Sequence, residues 1–404
     1  MLPCPPMRFL FATTSGTGHV TPMLPFAHAL ERAGHEVLVA GSGSAGAIAR
    51  AEGLAFRALG EPVPSELDAV HERLRSLSID DAPQAAIEDM FVRTLAAAAL
   101  RDMLPLMRSW RPDVVLREST EFASCLAAER CGVPQVRIGS ALSAANEDWI
   151  LALAAPALDE LREQLGLPAD GNAARQRASL CLTQSPQLID LPGGHELAPV
   201  HRYRVRHDDI PAELPDWWHG SDDPLVYLSF GTVLPRDGYP DMYRAAIDAL
   251  DGLPIRLLVT IGRAADPAEL GPLPGWVHVE QWVPQAAVMP HADAMVGHGG
   301  AGTTLAALAA GVPQVLLPVF ADQPINAERV AESGAGLALD MTPGGLGRLG
   351  NAVGELLEDP RYRSAAQDVA NEIRSLPPVD ESASLLAEVG SGAGVRRGRL
   401  DAVA

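Results

Sequence analysis

Two histidines in this 404-residue chain stand at glycine-bearing turns that follow apolar runs. His298 opens His298-Gly299-Gly300-Ala301-Gly302-Thr303, directly after the run Ala294 to Gly297, and a helix is expected from Thr303. A glycine-rich turn entering a helix leaves N–H groups and the positive end of the helix dipole aimed at one spot, which favours a diphosphate. His298 can add a hydrogen bond to a phosphate oxygen. An ordinary strand-to-helix turn, with glycines for tight packing, has the same appearance. His19 closes Ser15-Gly16-Thr17-Gly18 after the run Arg8 to Thr13. Imidazole titrates near neutral pH and can move a proton there; a lone histidine can equally be structural.

The elements that must carry these side chains read as alternating strands and helices. Arg8 to Thr13, Glu36 to Ala40, Asp113 to Arg117 and Gln135 to Ile138 are short apolar runs, with helical stretches at Met23 to Ala33, 45–52 and Phe122 to Cys131. Buried strands alternating with helices predict parallel βαβ units and a doubly wound sheet. A second series follows: Leu225 to Phe230, Arg256 to Ile261, Val277 to Glu280, Ala294 to Gly297 and Gln314 to Pro318. One α/β architecture used twice predicts two Rossmann-like domains facing a cleft, with ligands at the carboxyl ends of the strands. The expected boundaries are 7–200, a Pro-, Asp- and Trp-rich linker at 201–224, and 225–360. The final helices, about 361–389, are expected to pack back on the first domain, and 390–404 to be a disordered tail. Between roughly 64 and 110 the pattern is helical, with an apolar stripe of Met90, Phe91, Leu95, Met103, Leu104 and Met107. Such a stripe suits a core, and its soft methionines also suit an irregular ligand.

Composition narrows the function classes. With 51 acids against 31 bases the net charge is −20, a field that opposes general binding to nucleic acid or anionic bilayers. Backbone N–H groups can still build a local phosphate pocket without net charge. Cys4, Cys125, Cys131 and Cys181 show no metal-ligand spacing, so a reduced cytoplasmic chain is expected. The opening MLPCPPMRFLFATT lacks a basic segment ahead of a long apolar one, and no uncharged apolar run reaches about 18 residues. Neither a signal peptide nor a membrane span is expected.

The segment from Asp293 to Val330, together with Gln281-Trp282-Val283-Pro284-Gln285 upstream, resembles the donor-binding signature of family-one glycosyltransferases, the group that includes bacterial antibiotic glycosyltransferases. The resemblance follows element order through nearly the whole chain and implies the GT-B fold. It implies that Trp282 stacks on the nucleotide base and that the Val283 backbone pairs with the base edge. His298, Gly300, Gly302 and Thr303 would hold the diphosphate, and Asp322 and Gln323 the sugar hydroxyls. Ser229, Gly231 and Thr232 would approach the phosphates. In the first domain, Gly18-His19-Val20-Thr21-Pro22 matches the position of the general base that deprotonates the acceptor. Glu118 stands where the family usually has the Asp that orients this base; Glu121 and Asp113 are weaker alternatives. Met90, Phe91, Met107 and Trp149 are candidate walls for a small apolar acceptor, with linker packing an equal use for Trp149 and for Trp217-Trp218.

One departure bears on the donor. Members using UDP-sugars commonly carry a Glu eight residues after the phosphate histidine, on the ribose hydroxyls; here that position is Ala306. Leaving a buried donor unpaired costs about 1–3 kcal/mol, so a deoxyribose donor such as a dTDP-sugar fits better; packing could also explain the alanine. The implied reaction is an inverting transfer of a (deoxy)hexose to a hydroxyl of a natural product such as a polyketide, without a cofactor. No Asp-x-Asp occurs, so no metal site is expected. The alternatives are a nucleotide-sugar 2-epimerase on the same fold and a catalytically silent activator homologue. Gly41-Ser42-Gly43-Ser44-Ala45-Gly46 has dinucleotide spacing but follows the second strand, and is read as a loop near the acceptor.

Overall fold

A computed structural model of the chain describes residues 5–78, 81–190, 200–205, 222–231 and 239–392. These fall into two compact units, the first within 1–184, 192–205 and 377–404, the second within 185–191 and 206–376.

The first unit is built on seven parallel strands: β1 (Arg8–Thr13), β2 (Glu36–Gly41), β3 (Phe56–Ala58), β4 (Val114–Glu118), β5 (Gln135–Ile138), β6 (Leu180–Thr183) and β7 (Val200–Arg202), in spatial order β3-β2-β1-β4-β5-β6-β7. Phe9, Leu10, Phe11 and Ala12 of β1 are fully buried, as a central strand covered on both faces requires. On one face pack the helix Leu24–Arg32, through Phe26 and Leu30, and the helix Ser382–Gly390, through Leu386. On the other lie the helices Ala97–Trp110, Ala123–Cys131 and Ala144–Gln164.

The second unit repeats the plan with six parallel strands: β8 (Leu225–Ser229), β9 (Arg256–Thr260), β10 (Val277–Glu280), β11 (Ala294–Gly297), β12 (Gln314–Leu316) and β13 (Gly336–Ala338), ordered β10-β9-β8-β11-β12-β13. In each sheet the winding reverses beside the first strand, between β1 and β4 and between β8 and β11. Open α/β sheets bind ligands at such switch points, beyond the carboxyl ends of the strands.

The structure departs from the expected boundaries at two places. The first sheet runs past residue 200 through β7, and Tyr203 is buried against Phe26 at 6.0 Å between ring centres. Of the expected linker, 206–221 with Trp217 and Trp218 lies outside the described residues, as does the expected tail from 393. The helix Pro360–Ser375 stays with the second unit instead of returning to the first: Arg363 donates to the carbonyls of Ala292, Asp293 and Gly311, and the helix packs on Ala301–Ala310. The chain crosses at Pro377-Pro378, where no helix can continue. There Arg204 N donates to Pro377 O at 2.9 Å and Val379 N to Arg204 O at 3.0 Å. Among the described residues no helix is long and apolar enough to cross a membrane.

Candidate active site

At the switch point of the first unit, β1 leads through Thr14 and Ser15 into the short helix Thr17–Val20, which carries His19. Neighbouring β4 ends on Glu118, whose side chain is fully buried, whereas that of His19 is 28% exposed. His19 Nδ1 lies 3.2 Å from Glu118 Oε2, so the extra methylene of Glu over Asp still allows direct contact. Thr14 donates to Glu118 Oε1 through its backbone N and its hydroxyl (3.2 and 2.8 Å), and Thr120 N donates to Oε2 at 2.7 Å. Burial alone would raise the carboxyl pKa. The attraction of His19, its hydrogen bond and the Thr120 and Thr14 donors outweigh that and hold Glu118 down at about 2. An ionised carboxylate on Nδ1 assigns the proton of the neutral ring to that nitrogen and the basic lone pair to Nε2. Thr120 Oγ1 also lies 3.2 Å from Nδ1.

Beside this pair is a cavity of about 300 Å³, lined by Leu59, Leu67, Phe91, Leu95, Ala99 and Phe122, by the Gly41–Ser44 loop, and by Glu61 and Glu121. The Phe91 ring stands 5.9 Å from that of His19. Of the four expected acceptor residues only Phe91 belongs to this lining. Met107 is buried in the core, Trp149 packs against that core, and Met90 is half-buried away from the lining. Phe91 lies in a π-helix, Ala86–Ala96, that passes into the α-helix at Ala97. Residues four apart drift about 40° per step around an α-helix, so the row that begins at Phe91, Leu95 and Ala99 has turned into the core by Met103 and Met107. The Gly41–Ser44 loop lines the cavity. Its helix, Gly43–Ala51, is already capped: Ser42 Oγ accepts from Ala45 N, and Gly43 N donates to Glu61 Oε1 at 2.6 Å. Asp113 accepts from Arg8 N at the opposite end of the sheet, and Glu121 accepts from Ser124 N at the head of its helix, so neither contacts His19.

The second unit places Ser229 at the end of β8, Gly231 just after it, and His298 just after β11. The His298 ring packs against Gly231 and Gly300. A Cβ on Gly231, whose φ is +80°, would lie 2.7 Å from His298 Cε1, and one on Gly300 would collide with Nε2. Burial pushes His298 down to about 4, opposed by a hydrogen bond to the Ser229 backbone, so the ring is neutral near pH 7. Its Nδ1 is buried with no hydrogen-bond partner among the described residues. The helix Ala301–Ala310 begins without a side-chain cap, leaving the N–H groups at Gly302 and Thr303 in its first turn to an external acceptor. The Cβ direction of Gly302 is open space. Gln285 Nε2 donates to Thr303 Oγ1 and to Tyr227 OH, each at 3.2 Å, a fixing of the threonine hydroxyl that sequence reasoning missed. Trp282 is 50% exposed, with Arg263 over its ring at 4.1 Å; Val283 is buried. Asp322 accepts from Asn326 Nδ2, which also donates to Gly299 O, both at 2.8 Å, tying this acid to the glycine turn. Gln323 Oε1 instead holds its own loop, accepting from Val319 N and Phe320 N at 2.9 and 3.1 Å. Thr232 lies outside the described residues.

Comparison with known proteins now decides the family. The models of the erythromycin biosynthesis protein CIII-like N-terminal and C-terminal domains match residues 28–224 and 245–389. The chain is 34% identical to L-demethylnoviosyl transferase of Streptomyces niveus, over 91% of this chain and 94% of that one. The chain belongs to the family-one GT-B glycosyltransferases. Its fold matches the glycosyltransferase SnogD from Streptomyces nogalater with a TM-score of 0.75 and 29% identity, covering 95% of this chain and 99% of that one. For the glycosyltransferase VinC in complex with dTDP the TM-score is 0.71 and the identity 26%, over 95% and 100% of the two chains. This glycosyltransferase thus shares the group whose named members act on natural-product acceptors.

Proposed function

We propose that this glycosyltransferase moves a deoxyhexose from dTDP to a hydroxyl of a small apolar natural product, by one inverting displacement. The observation that carries the reading is the His19–Glu118 pair, an imidazole beside a buried, ionised carboxylate. In this reading His19 Nε2 takes the acceptor hydroxyl proton as the oxygen attacks the anomeric carbon. The bond from that carbon to the diphosphate breaks with its electron pair leaving on the phosphate, and Glu118 stabilises the imidazolium.

The second unit supplies the leaving-group side. The uncapped helix start at Gly302 and Thr303 offers N–H groups to the departing diphosphate, and the neutral His298 ring, whose one N–H is given to the Ser229 backbone, packs beside that turn and adds no charge. Ser229, Gly231 and Gly300 line the phosphates, Trp282 and Val283 take the base, and Asp322 and Gln323 take the sugar. Ala306, with a dTDP complex among the structural relatives, supports the thymidine nucleotide. The apolar cavity beside His19 supports the acceptor class, with Phe91 its contact nearest the base. The cytoplasm, where nucleotide sugars are made, is the setting that fits.

Acceptor-dependent release of nucleoside diphosphate tests this. We expect His19→Ala to slow that release by about 10²–10⁴-fold while nucleotide binding is retained. A variant that keeps most of the rate overturns the base assignment, and release that does not depend on acceptor overturns transfer.

A further inference from the structure

Strand β4 ends on two charged residues side by side, Arg117 and Glu118, both with zero exposure. Successive side chains of a strand point to opposite faces. Glu118 goes to His19; Arg117 goes to the other side of the strand end, into the protein. Its Nη1 donates to the carbonyls of Glu118, Ser119 and Glu121 at 3.0, 3.4 and 3.1 Å, and its Nη2 to Gln176 Oε1 at 3.3 Å. The guanidinium carbon lies 5.5 Å from the centre of the Phe122 ring. Among the described residues no carboxylate lies within ion-pair distance of it.

A buried cation without an ion-pair partner is expensive, and an apolar residue would fill that space at less cost. What the cation does here is grip the backbone of one four-residue turn, Glu118 to Glu121, on three of its four carbonyls. That turn carries both side chains that meet His19 Nδ1, Glu118 and Thr120. Its other side is fastened through Ser119, whose hydroxyl donates to Glu147 and accepts from Ser140 N at 3.0 Å. Glu147 is in turn paired with Arg137 at 3.4 Å, and Glu121 is engaged by Ser124. Among the described residues the ionisable groups engaged around the turn are Glu118, Glu121, Glu147, Arg117 and Arg137, and of these Glu118 lies 3.2 Å from the imidazole.

We infer that Arg117 is the positioning residue of the acid–base pair: by clamping the Glu118–Glu121 turn it sets the distance between the Glu118 carboxylate and His19. Its kinetic consequence rests on the reading of His19 as the base; its geometric consequence does not.

Arg117→Lys, with one compact ammonium in place of the planar fork, and Arg117→Met test it in the full chain, alongside Gln176→Leu, which loosens the guanidinium from below. The readouts are the titration of the His19 imidazole by NMR and the dependence of kcat and KM on pH. We expect the His19 midpoint to fall by about one pH unit in the folded Arg117 variants. We expect kcat to fall about tenfold or more and acceptor KM to stay within about twofold. Gln176→Leu should move the midpoint the same way by less. Combined with Glu118→Gln, Arg117→Lys should add little further loss, because both act on one contact. An unmoved His19 midpoint in folded Arg117→Lys overturns the inference, as does an additive loss in the double variant. Should neither Arg117 variant fold, an unmoved midpoint in Gln176→Leu overturns it. His19→Ala retaining activity would instead remove the base reading and leave the NMR test of Arg117 standing.

Discussion

A carboxylate taken wholly out of water ordinarily gives up its charge, and Glu118 keeps it because donors and an imidazole surround it. Its folded pKa of about 2 lies below the ordinary 4.5, so the stability it contributes is present above about pH 4.5 and is lost as pH falls towards 2. Across the neutral range it stays charged, and any proton-linked fall in kcat there belongs to another group. Glu118→Gln should keep the contact with Thr14 but turn an N–H towards Thr120 N, leaving donors opposed. We expect kcat to fall by about 10²–10⁴-fold with little change in donor KM, and the thermal midpoint to drop by the equivalent of about 1–3 kcal/mol. Steady-state kinetics and calorimetry check both. An undiminished kcat would reduce Glu118 to a structural acid. Arg117, its neighbour in sequence, shows the same economy of placement with opposite charge, acting on backbone.

At the scale of elements, each site hangs on the ends of two adjacent parallel strands, and glycine decides how near those ends come. Gly231 after β8 and Gly300 after β11 both abut the His298 ring. Gly231→Ala combines a left-handed φ of +80° with a Cβ 2.7 Å from His298 Cε1. The backbone penalty alone is about 1–2 kcal/mol, and the ring must move besides. The expected result is a donor KM raised about tenfold or more, with the His19 titration unchanged because the other unit is untouched. A donor KM like that of the parent protein would mean that His298 does not touch the phosphates. The π-helix Ala86–Ala96 belongs to this scale too. Its wider turn and the drift of the row after Phe91 explain why an apolar stripe of even spacing divides between cavity wall and core.

For the molecule as a whole, the two units repeat one sheet order while holding different chemistry, a paired imidazole in the first and an uncapped helix start in the second. A nucleotide that binds the native second unit stabilises it by mass action. We expect dTDP to raise its melting transition more than UDP does at equal concentration, in a thermal-shift or calorimetric measurement, because Ala306 offers a ribose hydroxyl no acceptor. Equal shifts would remove the argument from Ala306 and leave the rest of the donor site intact.

Much of this was legible in the residues. The strands β1, β2, β4, β5 and β8 to β12 announce themselves as apolar runs, those of β1, β2, β5, β8, β9 and β11 followed by glycine-bearing turns, since a strand covered on both faces has few other ways to be written. Short β3, β6, β7 and β13 give no such signal; they lie at or beside the edges of their sheets, where pairing to a neighbouring strand defines them. His19, Glu118 and His298 could be named from their motifs, and the repeat of one architecture from the order of its elements. The distance from His19 to Glu118, 99 positions along the chain, depends on the register of β1 against β4. The reach of Arg117 onto three carbonyls is local, one to four positions along the chain, but its contact with Gln176, 59 positions away, waits on packing, and the turning of Met107 away from Phe91 depends on where a π-helix becomes an α-helix. Sequence fixes which groups are available, because side-chain chemistry and local periodicity are properties of neighbours in the chain. Which buried charge meets which partner is decided only when distant segments pack, because a few tenths of an ångström there separates a hydrogen bond from an unpaired ion.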